Sequence, residues 1–171
     1  MSSAIFEQLV SARTMMKGEK ALLAMGENAV PLLRDLLDGT AKNEYGVAYR
    51  NLGLPVRCAV EVALRMGPVA RGLEPLIVRE LLLGSEAAAR ALGCLGGAEG
   101  ETIEALVLCL DPPDPKHSDV GLSVEAGIAL IRLGAAEHAS VLHKIEASQK
   151  ASASLADAHR AIAKWVSAPS H

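Results

Sequence analysis

Five histidines and three cysteines are the side chains of this 171-residue sequence most suited to metal or nucleophilic chemistry. A zinc centre built on one helix asks for imidazoles four residues apart with a glutamate between them, so that both face one way. His138 and His143 are five apart and fall on different faces. In DPPDPKHSD, Asp111 to Asp119, the side chains of Asp114, His117 and Asp119 gather possible ligands. Pro112, Pro113 and Pro115 already explain that stretch as a solvated turn. Cys58, Cys94 and Cys109 lack C-x-x-C spacing, and each lies inside an apolar helical pattern. That placement predicts buried, reduced thiols and, with them, a cytoplasmic address. GCLGGAEG, Gly93 to Gly100, has the glycines of a phosphate loop without its Gly-Lys-Ser/Thr ending, and it follows a helical pattern rather than a strand. No catalytic residue, metal or cofactor is therefore expected, and the chain reads as a non-enzyme.

Without such chemistry, function falls to the surface, and the surface is set by the elements beneath it. ALLAMG (Ala21–Gly26), ALGCLG (Ala91–Gly96) and ALIRLG (Ala129–Gly134) are copies of one pattern, and VALRMG (Val62–Gly67) is an imperfect fourth. Each copy closes one helical pattern and is followed by another: ENAVPLLRDLLDG from Glu27, GLEPLIVRELLLG from Gly72, ETIEALVLCLD from Glu101 and EHASVLHKIEA from Glu137. In the first of these Val30, Leu33 and Leu37 recur at helical period. Pro31 and Pro75 stand in first turns, where a missing N–H costs little. The glycine that ends each copy is expected to take a left-handed conformation so that the chain can reverse into the second helix. The small alanine that starts the copy lets paired helices approach closely.

The composition agrees with stacked helices. Half of the residues are hydrophobic, mean hydropathy is +0.25, and the aromatics are limited to Phe6, Tyr45, Tyr49 and Trp165. Helix pairs of this size cannot bury their apolar stripes alone, so they must stack on one another. On ALLAMG...AVPLLRDLL and VALRMG...EPLIVRELL the chain resembles HEAT-repeat proteins, and in particular the short bacterial HEAT-like repeats of the phycobilisome-lyase type. The resemblance implies an all-α fold, a right-handed α-solenoid of about four antiparallel helix pairs. One domain, 1–171, is expected, with an N-terminal cap over 1–19, repeats over 20–147 and a C-terminal cap helix in 148–171. The caps are an opening helix over Ala4–Met16 and a closing helix over Ser154–Val166. Two longer linkers interrupt the rhythm, Thr40–Pro55, with a partial helix around Val47–Leu52, and Asp111–Asp119.

Activities known among HEAT-like proteins do not carry over by residue. Deoxyhypusine hydroxylases hold metal through His-Glu dipeptides, whereas His117, His138, His143 and His159 precede Ser, Ala, Lys and Arg. Alkylpurine DNA glycosylases use a basic groove and aromatic contacts. Here the net charge is −3, and the one Trp lies in a terminal stripe. Lyase-like handling of a phycobilin is the alternative the resemblance offers, with no bilin-handling residue to transfer. Nucleic-acid binding ranks below it. The start, MSSAIFEQLV, has no secretory pattern, and no apolar run nears the roughly 20 residues of a membrane span.

The sequence therefore reads as a protein- or peptide-binding scaffold, of adaptor or immunity type, monomeric or weakly self-associating. Its partner lies neither in nucleic acid nor in the membrane. Three sets of residues are candidates for contact. Second helices are expected to line the groove of a solenoid, presenting Arg34, Asp35 and Asp38, then Arg79 and Glu80, Glu104, and His143 and Lys144. Such a stripe is also what a solvated face looks like. Tyr45 and Tyr49 stand four apart beside Arg50, a grouping found at interfaces, with packing on a neighbouring helix as the other reading. Glu99 to Asp119 carries six acids and one Lys. Asp111, Asp114 and Asp119 there would draw a partner with a basic surface.

Overall fold

The computed structural model describes residues 2–110 and 120–135, and among these the apolar stripes become α-helices with no strand. They are α1 (Ser2–Leu9), α2 (Met15–Ala24), α3 (Ala29–Asp38), α4 (Leu54–Met66), α5 (Glu74–Leu82), α6 (Glu86–Leu95), α7 (Gly100–Leu110) and α8 (Val120–Arg132). Tighter 3₁₀ turns cover Gly26–Asn28, Tyr49–Leu52 and Gly67–Leu73. No helix among the described residues is long and apolar enough to cross a membrane.

The copies of the short pattern close α2, α4, α6 and α8, and their glycines behave as the sequence requires. Gly26, Gly67, Gly96 and Gly134 have φ of 56°, 57°, 72° and 69°. These values suit a residue without Cβ, because the neighbouring carbonyl crowds any side chain there. At Gly26 and Gly67 the reversal begins at the glycine itself, which opens a 3₁₀ turn leading into α3 or α5.

Helices that end in the pattern pack in succession, α2 on α4, α4 on α6 and α6 on α8. Their followers pack likewise, α3 on α5 and α5 on α7. The core runs between these two rows through Leu22, Leu33, Leu36, Leu37, Ile77, Leu81, Leu92 and Leu106, each at most 1% exposed. Each such leucine contributes roughly 1.5–3 kcal/mol by leaving water. Between α6 and α8 small residues set a close approach between copies. A Cβ added to Gly93 of α6 would stand 2.8 Å from the Cα of Ala129, which opens the pattern in α8.

Two expectations change. The opening helix does not run over Ala4–Met16: it stops at Leu9, and Met15 and Met16 already belong to α2. Side chains decide this locally. Thr14 Oγ1 donates to the Gln8 carbonyl at 2.7 Å, and the Ser11 carbonyl accepts from Thr14 N at 3.0 Å and Met15 N at 2.9 Å. Those groups are thereby satisfied in a turn instead of a continuous helix. The partial helix in the first linker is confined to Tyr49–Leu52. The Asp111–Asp119 loop, the second helix from Glu137 and the closing helix Ser154–Val166 lie outside the described residues.

Candidate functional site

Asn43 organises the segment from Thr40 to Ala48. Its Oδ1 accepts from the backbone N–H of Tyr45 at 3.0 Å and of Val47 at 2.9 Å. Asn43 N donates to the Val47 carbonyl at 2.9 Å, and Gly46, at φ 75°, donates to the Asn43 carbonyl. An antiparallel bridge between Lys42 and Ala48 closes the base. One side chain thus satisfies the backbone of a loop tip that would otherwise depend on water. On that tip Tyr45 is 81% exposed.

The two tyrosines part company. Tyr49 is fully buried, its ring centroid 5.3 Å from that of Phe6 and its hydroxyl donating to Glu7 Oε1 at 2.6 Å. It anchors the loop to α1, so the packing alternative holds for Tyr49 and the exposed one for Tyr45.

Arg50 leads from the loop into the helices. Its Nη1 donates to the Leu37 carbonyl at the end of α3 (2.6 Å), and its Nη2 meets Glu80 Oε1 of α5 at 3.1 Å. Arg79 donates to the same Leu37 carbonyl and places Nε 3.5 Å from Glu80 Oε1. Two guanidinium groups and one carboxylate therefore close a ring around the end of α3, where the helix dipole favours cations.

Past this ring lies a cleft of about 600 Å³. It is walled by the Tyr49–Leu52 turn, the first turns of α4 and α6, and the end of α5. Arg90 crosses its floor from α6, with Glu61 of α4 at 3.6 Å and Glu125 of α8 at 3.8 Å. Burial raises the Glu125 carboxyl above its usual range, and Arg90 works against that rise.

The remaining expected contact residues are dispersed. Arg34 is exposed and donates to the Gly72 carbonyl at 3.1 Å, tying α3 to the turn before α5. Asp38 accepts from Thr40 N and Thr40 Oγ1, both at 2.8 Å, which holds its carboxyl below the usual range and finishes α3. Asp35 and Glu104 are exposed on α3 and α7. Of the expected stripe, Glu80 is an ion-pair partner, 7% exposed, that also lines the cleft. Asp111, Asp114, Asp119, His143 and Lys144 lie outside the described residues, as do all the histidines.

Cys58 and Cys109 are buried, and burial raises both thiols, Cys58 to about 12 with Glu19 adding to the effect. Cys94 departs from expectation: it is half-buried, and Arg132 Nη1 donates to its Sγ at 3.1 Å. No group of three or more His, Cys, Asp or Glu among the described residues is placed to hold a metal ion.

No family model, curated protein or solved structure matches this chain. The site therefore rests on its own geometry: an ordered aromatic tip, a ring of ion pairs and a charged cleft, side by side along 43–57 and 79–90. Arg57 and Leu83 of the cleft, and Asn43 of the loop, were not singled out from the sequence. Asn43 did leave a local signal, an Asn three residues before Gly46 in NEYG.

Proposed function

We propose that this chain is a non-catalytic, protein-binding scaffold, a right-handed α-solenoid of HEAT-like units, working in the reducing cytoplasm. Its partner docks on the edge formed by the Tyr45 loop and the neighbouring cleft. The observation that carries this reading is Tyr45: 81% exposed, on a loop whose shape is set by Asn43. A large ring left in water gains most by burial in a partner's pocket, and a pre-ordered loop loses little freedom on binding. The order of packing, α2–α4–α6–α8 and α3–α5–α7, supports the stacked arrangement, and the burial of the Cys58 and Cys109 thiols supports the compartment.

A photo-reactive phenylalanine at position 45 tests the docking edge. Irradiated in the source cell, it should give one discrete protein adduct, while the same probe at Met16, 63% exposed on α2, gives none. Tyr45→Ala should weaken capture of that adduct's protein by about 30-fold, the scale of a hot-spot residue worth ~2 kcal/mol. Identical adduct patterns from both positions would remove the loop from the interface.

A further inference from the structure

The lining of the cleft includes Arg50, Arg57 and Arg90 with Glu61, Glu80 and Glu86, formally neutral. The carboxylates, however, are engaged within the fold. Glu80 lies between Arg50 and Arg79, at 3.1 and 3.5 Å. Glu61 meets Arg90 at 3.6 Å. Glu86 lies against Gly121 in the first turn of α8, so closely that a Cβ there would be 2.2 Å from its Oε1. A helix N-terminus favours that negative charge. Arg50 and Arg90 are held by the same pairs, while Arg57 is different. It is exposed, and while its backbone N–H donates to the Gly53 carbonyl at 3.3 Å, its guanidinium makes no hydrogen bond or ion pair among the described residues. Glu61, one turn along α4 and able in principle to pair with it, is taken by Arg90. The charge that the fold leaves unanswered in the cleft is therefore positive.

Apolar surface adjoins that charge. Leu83 lines the cleft and is 72% exposed, Val56 lines it from α4, and Leu52, 39% exposed, sits between two lining residues. We propose that the cleft receives an acidic side chain from a partner polypeptide, with an apolar neighbour of that side chain resting on Leu83 and Val56. This rests on the protein-binding reading above and adds the chemistry of the partner. The same lining argues against nucleic acid. A strand with a charge at every phosphate would run past Glu61, Glu80 and Glu86, whereas a single carboxylate can sit beside Arg57 alone. The volume, about 600 Å³, suits a few side chains.

The test is an amide-shift titration of the isotope-labelled full chain with an acetylated, amidated hexapeptide, Ser-Leu-Asp-Glu-Leu-Ser. Its Asn-Gln and Lys-Lys analogues and a short single-stranded DNA serve as the other arms. The acidic peptide should move the amides of 53–57 and 83–87 and bind about tenfold more tightly than the Asn-Gln analogue, as one charge-assisted contact predicts. Arg57→Gln should erase that difference with an unchanged Tm, and the Lys-Lys analogue should bind most weakly. Equal binding of the acidic and amide peptides, shifts elsewhere in the chain, or DNA acting in their place would overturn the proposal. Crosslinking at position 45 is read separately: adducts there without an acidic preference here remove the partner chemistry and keep the docking edge.

Discussion

Leu37 shows how a residue with no chemistry of its own decides what the charges around it can do. Its carbonyl, one of those that the last turn of any helix leaves unpaired, accepts from both Arg50 and Arg79, and Glu80 holds the two guanidinium groups together. Replacing Glu80 by Gln would leave two cations facing each other over that carbonyl. Urea unfolding should show a loss of about 2 kcal/mol, between the values for exposed and buried pairs. Arg34→Gln, which removes a single exposed bond to Gly72, should stay within about 1 kcal/mol of wild type. Cys58 supplies the pH dependence. Burial, and then Glu19, raise its thiol from 9.0 to about 12 in the folded chain. Below pH 9 the thiol is protonated in both states and its contribution to stability is fully present. Between 9 and about 12 the unfolded chain ionises first, so that contribution is lost. Stability measured at pH 8 and pH 10.5 should therefore fall further in wild type than in Cys58→Ala.

Helix ends were more legible than helix surfaces. The reversals after Met25, Met66, Leu95 and Leu133 need φ above zero, a demand that leaves essentially one residue type, so the glycines could be read directly. Helical period likewise carries α3, α5 and α7, because burial of one face imposes it on local sequence. The break between Leu9 and Met15 was missed because Ile5, Phe6 and Leu9 lead into Val10 without interruption, while the hydroxyl of Thr14 decides the turn. The cleft was illegible for a different reason. Its residues come from turns and helices some 30 positions apart, and only packing brings Arg57 near Leu83. Close approach of elements gives the next prediction. A methyl at Gly93 would meet the backbone of Ala129 at 2.8 Å, and a backbone atom cannot swing aside as a side-chain tip can. Gly93→Ala should cost about 1–3 kcal/mol in thermal or urea unfolding, the range for overpacking. Gly26→Ala meets nothing within 4 Å and is strained only by its φ of 56°.

At the scale of the molecule, a row of helices packed in succession transmits damage mainly to neighbours. If the chain is stacked as proposed, hydrogen exchange in Gly93→Ala should quicken across 86–95 and 120–132, while α1 and α2 exchange as in wild type. A uniform rise over 2–24 as well would mean that the chain opens as one cooperative block, and that the stack is not divisible along its axis.

The way the helices are capped bears on how such a chain can change length. Glu74 of α5 is 6% exposed and accepts from Glu99 N at 3.1 Å and from Thr102 Oγ1, so the start of α7 is finished by the unit before it. Glu86 of α6 lies against Gly121 in the first turn of α8. The glycines look like seams, yet a segment excised from Gly67 to Gly96 would carry off Glu74 and leave Glu99 and Thr102 behind. Deletion at those seams would separate that carboxylate from the helix it serves. Shortened natural variants that keep α7 are accordingly expected to keep α5 as well, so that the modules of inheritance overlap where the modules of packing abut.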